Sequence, residues 1–204
     1  MNITEAIEQI NTIHEHVARG ESYRGYHPGA LAASGGLGLL AGALQGWILP
    51  EMTPTTFVLY WTAVASLAFV VGAWPTVMDY LTRDDALARR RTRTITWQFL
   101  PCLVVGFILT LAVVRHDPAH AFIALLPGCW CLLFGLGTVA SRPFLPVGAG
   151  GVAIWFFLAG SLLLLCNPGS PPPGWAVGIP FGFGQILAAG VLLRDRREGR
   201  SDGV

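Results

Sequence analysis

Twelve of the thirteen arginines in this 204-residue chain fall on one side of six apolar stretches, and lysine is absent. The stretches are Gly29–Leu49, Thr55–Met78, Ile95–Val114, Ala119–Ala140, Phe144–Leu165 and Trp175–Leu193, each 19–24 residues long. A helix of about 20 apolar residues crosses a hydrocarbon core of roughly 30 Å. Arg19 and Arg24 precede the first stretch, and Arg83, Arg89, Arg90, Arg91 and Arg93 separate the second from the third. Arg142 follows the fourth, and Arg194, Arg196, Arg197 and Arg200 follow the sixth. The alternate connections hold only Arg115. Basic segments are retained on the cytoplasmic side of a membrane. The asymmetry therefore predicts an all-α polytopic bundle of six transmembrane helices with both termini in the cytoplasm.

With 53% hydrophobic residues and a mean hydropathy of +0.55, most of the chain is committed to the bilayer. The expected organisation is a cytoplasmic amphipathic helix and hinge over residues 1–28, a six-helix domain over 29–193, and a basic cytoplasmic tail over 194–204. The connections are too short for a soluble domain. No basic start followed by an apolar run opens the chain, so no cleaved signal peptide is expected. An arginine-bearing cytoplasmic surface attracts anionic lipid headgroups. Nucleic acid is not an expected partner, because no basic face is interleaved with stacking aromatics.

Residues 2–18 read as a helix. Asn2 and Glu5 have capping-box spacing, and Ile3, Ala6, Ile7, Ile10, Ile13 and Val17 form one apolar stripe. Glu5, Glu8 and Glu15 lie off it. Interfacial helices usually carry basic polar faces. An acidic one points instead to docking on protein through Ile3, Ile7, Ile10 and Ile13. This chain's own cytoplasmic loop, a second protomer and another protein all remain open as the partner. The segment Gly20–Pro28 reads as a hinge, with Tyr23, Arg24, Tyr26 and His27 at headgroup level.

The first span carries a packing signal: Ala30, Ser34, Gly38, Gly42 and Gly46 recur every fourth residue. Lipid supplies no hydrophobic drive for helix association, so close approach through small residues is a main route to tight contact. Pro127-Gly128 and Pro180 fall inside the fourth and sixth spans, where proline kinks a helix. Phe99-Leu100-Pro101 with Gly106 matches Phe144-Leu145-Pro146 with Gly151 in spacing. This reads as two related hairpins, spans three–four and five–six, each opened by the same motif.

Residues that carry chemistry are scarce. No Asp, Glu or Arg lies deep in a span, which argues against an ion-coupled carrier. Gln45 and Gln185 are the candidate intramembrane polar groups, suited to hydrogen bonding between helices or to a substrate. No span has an interior histidine to ligate haem, and no cofactor is expected. His116 and His120 are four apart, a metal-chelating interval on a helix. Asp117-Pro118 reads as N-cap and N1 of the next helix, leaving His116 outside it. The four cysteines read as buried thiols without a disulfide framework, and Cys129 with Cys131 points in two directions. Asp79/Arg83 and Asp85/Arg89 have the i,i+4 spacing of a helical extension of span two. No G-x-S-x-G, P-loop or H-E-x-x-H motif is present. No catalytic or metal residue is assigned, and the chain is not expected to be an enzyme.

Four stretches taken in order, Ile7–Ile13, Ala33–Gly46, Leu126–Arg142 and Gly178–Gly190, carry a resemblance. The chain resembles an uncharacterised family of bacterial six-helix inner-membrane proteins with a short N-terminal amphipathic helix. Its Tyr26-His27-Pro28-Gly29 departs from the Ser-rich approach to the first helix in that family. The resemblance implies the six-span topology and a bacterial inner-membrane location, and it implies no activity. The function expected is that of a non-enzymatic membrane protein acting through helix packing and protein contacts, as a regulatory or assembly component. The alternative is a passive channel, or a binder of a small apolar molecule or lipid within the bundle. A reporter active only after export, fused behind Val204, should be silent. Activity there would invert the assignment of every loop.

Overall fold

A computed structural model of the protein describes residues 27–82, 86–116, 122–146 and 148–201. Among these, the chain forms helices α1 (Pro28–Ile48), α2 (Pro54–Thr82), α3 (Ala86–His116), α4 (Leu126–Ala140), α5 (Ala149–Cys166) and α6 (Trp175–Ser201), and no strand. Short 3-10 turns, Phe122–Leu125 and Arg142–Phe144, flank α4. Six helical segments are long and apolar enough to cross a membrane. The proposed N-terminal helix with Ile3, Ile7, Ile10 and Ile13, and the loop residues Asp117, Pro118 and His120, lie outside the described residues.

Local chemistry sets the helix ends. Thr53 and Thr56 cap α2 reciprocally: Thr56 N–H donates to Thr53 Oγ1 at 3.2 Å, and Thr53 N–H to Thr56 Oγ1 at 2.8 Å. Pro54 fills the first helical position between them, where a missing N–H costs nothing. Asn167 ends α5 in the left-handed region (φ 44°), its N–H donating to Leu163 O. Asn tolerates that conformation better than most residues. The fourth span has only 15 α-helical residues. With its four-residue 3-10 lead-in, it reaches roughly 30 Å.

Several expectations are corrected. Pro127 stands in the first turn of α4, so it marks the change from 3-10 to α rather than a kink. The internal prolines are Pro75, Pro101 and Pro180. The helix of span two runs past Met78 through Asp79 to Thr82, Arg83 and Asp85 lie outside the described residues, and Arg89, Arg90, Arg91 and Arg93 stand on α3. The two Phe-Leu-Pro motifs differ in structure, one lying inside α3 and the other preceding α5. They do not open equivalent helices.

Each helix packs on the next, and α6 returns to pack on α1, so the six form a closed ring in chain order. The α2–α3 contact is the weakest link between successive helices. His27 Nε2 lies 3.0 Å from Asp79 Oδ2, Phe99 meets Gly137, and Val191 meets Gly148. These contacts bring the start of α1, α3 and α5 to one end with the close of α2, α4 and α6. Arg89, Arg90, Arg93, Arg142, Arg194, Arg196 and Arg197 therefore share one rim, and Arg115 stands at the opposite end.

The seven tryptophans divide by exposure. Trp74 (58%) and Trp97 (65%) face outward near the arginine rim, while Trp47 (89%) and Trp175 (52%) do so at the other end. Outward tryptophans at both ends match the belts that aromatic rings form at the two surfaces of a bilayer. Between them, Leu59, Leu67, Phe69, Phe107 and Ile108 present an apolar flank.

The tightest seam is α1 against α6. A Cβ on Gly42 would lie 2.9 Å from Gly174 O and 3.0 Å from Gly178 Cα, and one on Gly35 would lie 2.6 Å from Gly182 O. Reciprocally, a Cβ on Gly178 would sit 2.9 Å from Gly38 O, and one on Gly174 would meet Gly42 O. Residues every fourth position drift about 40° per step around a helix of 3.6 residues per turn. The series Ala30, Ser34, Gly38, Gly42, Gly46 therefore cannot serve one neighbour throughout. Ser34 turns towards Gly72 of α2, Gly38 and Gly42 meet α6, and a Cβ on Gly46 would touch nothing within 4 Å. A second glycine pair joins α4 to α5: a Cβ on Gly128 would lie 2.9 Å from Gly160 O, and the reverse distance is also 2.9 Å. Gly42→Ile should cost about 1–3 kcal/mol through overpacking, read as a lower melting temperature in detergent. Gly46→Ile should leave it unchanged. Equal effects would show that the glycine seam is not what holds α1 to α6.

Candidate functional site

Polar groups at the end away from the arginine rim are used to tie helices together. Gln45, 6% exposed, receives the Trp61 indole N–H on Oε1 at 2.7 Å and donates from Nε2 to Pro172 O at 3.2 Å. One amide thus links α1, α2 and the proline-rich loop before α6, in which Pro172 is fully buried. Tyr60 O–H donates to Ala41 O at 2.7 Å. Trp130 N–H donates to Thr110 Oγ1 at 2.8 Å, joining α4 to α3, and Trp155 N–H donates to Pro180 O at 2.9 Å, joining α5 to α6. Each hairpin is laced by one tryptophan. In hydrocarbon the alternative for such a donor is no partner at all.

Below these ties, phenylalanines fill the interior. Phe134 has ring centroids 4.9 Å from Phe99, 4.6 Å from Phe156 and 5.6 Å from Phe181. Four helices meet in this cluster. Above it, Phe57 and Trp130 stack with centroids 6.3 Å apart, and Ile123, Leu126 and Trp61 are buried around them.

One turn nearer the arginine rim the interior becomes polar. Thr138 on α4 and Ser141, just past its last residue, follow Phe134 at i+4 and i+7, and Gln185 follows Phe181 at i+4 on α6. Phe99 packs against Gly137, so antiparallel α3 sets Gln98 level with Thr138. A Cβ on Gly35 would lie 3.0 Å from Gln185 Cβ, and one on Gly72 would lie 3.6 Å from Ser34 Oγ. Those contacts bring Ser34 of α1 and Gly72 of α2 into the same layer. Towards the rim lie buried Thr76 and the His27–Asp79 contact.

Two members of this region are unpartnered. Gln98 Oε1 and Ser141 Oγ are buried side-chain atoms with no hydrogen-bond partner, and Ser141 is 1% exposed. A buried polar atom left unpaired costs about 1–3 kcal/mol. By contrast, Thr138 Oγ1 donates to Phe134 O at 2.9 Å, and Ser34 Oγ to Leu31 O at 2.8 Å.

The structure keeps the candidate residues apart. Gln45 stands among the ties at one end and Gln185, half-buried, in the polar layer. Ala30 lies near the start of α1, half-buried. His116 is the exposed last residue of α3. Among the described residues no three His, Cys, Asp or Glu side chains gather to hold a metal. Cys102, Cys129, Cys131 and Cys166 are free thiols, Cys131 being buried and Cys166 exposed. Reading the spans alone misses Gln98, although it stands three residues inside the third one. It misses Ser141 because that residue closes a span and looks like a loop. Mid-span placement was the signal for Trp61, Trp130 and Trp155, since belt tryptophans stand at span ends.

Trp61→Phe leaves Gln45 Oε1 without its donor and should lower stability by about 1–2 kcal/mol. Adding Gln45→Leu removes the orphaned amide and should return part of that loss, as thermal unfolding in detergent would show. A strictly additive pair would mean that the two side chains do not cooperate.

Among the described residues the chain is thus all-α, with six helices suited to crossing a membrane. Compared with protein families, with curated proteins and with solved structures, it finds no match.

Proposed function

We propose that this is a non-enzymatic, multi-pass protein of a bacterial inner membrane, with both termini cytoplasmic, acting through protein contacts as a regulatory or assembly component. The carrying observation is the α2–α3 hairpin. At 29 and 31 residues, its helices run about 44 and 46 Å, beyond the roughly 30 Å of a hydrocarbon core. The excess includes Arg89, Arg90 and Arg93 at the start of α3, and the hairpin is the least enclosed part of the ring. A projecting cationic hairpin suits an acidic partner surface. The acidic amphipathic stretch 2–18, on this chain or a second copy, has the complementary charge, and its isoleucine stripe supplies an apolar face. The sequence resemblance to six-helix inner-membrane proteins points to the same setting.

A passive channel is the weaker reading. The packed rings of Phe99, Phe134, Phe156 and Phe181, with Phe57 and Trp130 above them, occupy the interior along which water would run.

Capture from native membranes tests the proposal. A distinct protein, or an untagged copy of this chain, should co-purify with the full chain and be lost when residues 2–18 are deleted. Identical recovery with and without that stretch would sink it.

A further inference from the structure

We propose that the polar layer at the arginine-bearing end binds a hydroxyl-bearing membrane lipid, with headgroup donors on Gln98 Oε1 and Ser141 Oγ and the acyl region along the α2–α3 seam. This site is separate from the partner contact proposed for residues 2–18, and either can fail alone.

Three observations converge on it. The first is chemical. Both orphaned atoms are oxygens; the amide oxygen of Gln98 requires an O–H or N–H donor, and the Ser141 hydroxyl can accept from such a group or donate to it. Thr138 and Gln185 belong to the same layer, Thr76 lies towards the rim, and Arg142 directly follows Ser141. That composition fits a hydroxylated headgroup.

The second is the apolar face of α2. Phe57, Tyr60, Val64, Val71, Pro75 and Met78 share one face of α2 at helical spacing. Phe57 is fully buried, and Tyr60 and Val64 pack on the core. Val71, Pro75 and Met78 remain half-exposed and belong to no core cluster. Near the arginine rim the apolar residues of this face thus stand outside the core clusters, while Thr76 beside them is buried. Over their whole length, α2 and α3 make the sparsest contact between successive helices. The α2 wall of the seam is apolar, as an acyl chain requires, and Gln98 stands on α3, which forms the other wall.

The third is depth. Gln98 stands five residues past Arg93 on α3, roughly 7–8 Å further along the helix axis. Arginines at a span end mark the headgroup zone. The layer therefore lies near the level where a lipid's polar part gives way to its chains. The phenylalanine cluster closes the site on the side facing the bilayer centre, so a ligand arrives from the rim or sideways from the lipid.

The test uses the purified full-length protein, delipidated in detergent and titrated by native mass spectrometry. The probes are phosphatidylglycerol, which has two free headgroup hydroxyls, and phosphatidylcholine of the same chains, which has no donor. Phosphatidylglycerol should bind about tenfold more tightly, as expected for one or two well-made hydrogen bonds. Gln98→Leu with Ser141→Ala should abolish that preference without lowering the melting temperature of lipid-free protein, because an unpaired polar group is lost rather than a bond. Where the double variant does not fold, Ser141→Ala and Gln98→Met taken singly should each narrow the preference. Equal affinity for the two lipids would overturn the proposal, and so would a preference that survives every variant. Displacement of phosphatidylglycerol by free glycerol at similar concentration would point to a soluble polyol site and overturn the lipid assignment. A clear drop in lipid-free melting temperature for the variants would assign both residues to the fold instead.

Discussion

Backbone approach between α1 and α6 is the contact on which the rest of the bundle depends. These are the first and last helices of the ring, and their meeting closes it. In lipid, apolar side chains gain nothing by leaving one apolar medium for another. What remains is close contact, and close contact needs surfaces without bulk. Gly35, Gly38 and Gly42 on one helix, with Gly174, Gly178 and Gly182 on the other, provide it. The seam also sets rotation. With Gly42 turned to Gly178, Gln45 is directed at Trp61 and Pro172. Ser34 is directed at Gly72 and His27 at Asp79. On the opposite side, Phe181 and Gln185 turn inward.

Around that seam the aromatic residues do two jobs. Outward tryptophans stand at the two ends of the bundle, and inward ones donate across helix pairs. The interior is consequently graded. Away from the arginine rim it is full and its donors are spent on neighbours. Towards the rim, polar side chains replace phenylalanines, two of them with an oxygen left over. A bundle held by glycine contacts and a few indole hydrogen bonds can tolerate such a region. Its stability resides in the α1–α6 and α4–α5 seams, and the α2–α3 side is left free to meet lipid or protein.

Particular residues show how far the sequence was readable. The spacing of Gly38 and Gly42 announced a packing face, because small residues at four-residue intervals have few other uses in a membrane helix. The partner was also visible in principle, since Gly174, Gly178 and Gly182 repeat at the same interval. Recognising it required knowing that α6 lies beside α1. Gly46 belongs to the same series and meets nothing, because helical drift carries it off the contact. The Phe-Leu-Pro pair had matching spacing and unlike structures, since nothing local separates a proline tolerated within α3 from one that precedes α5. Gln98 was passed over because it stands beside a charged segment, where a polar residue draws no notice.

What the sequence by itself determined is how many apolar segments the chain has and how its arginines alternate among them. Hydropathy and charge are sums over neighbouring residues, and membrane insertion responds to those sums segment by segment. The tertiary structure alone decided which glycines touch, which tryptophans turn inward, and that Gln98 and Ser141 are enclosed without partners. Those outcomes depend on the rotation and register of each helix against helices distant in the chain. Such quantities follow from close packing between surfaces and have no counterpart in any single stretch of sequence.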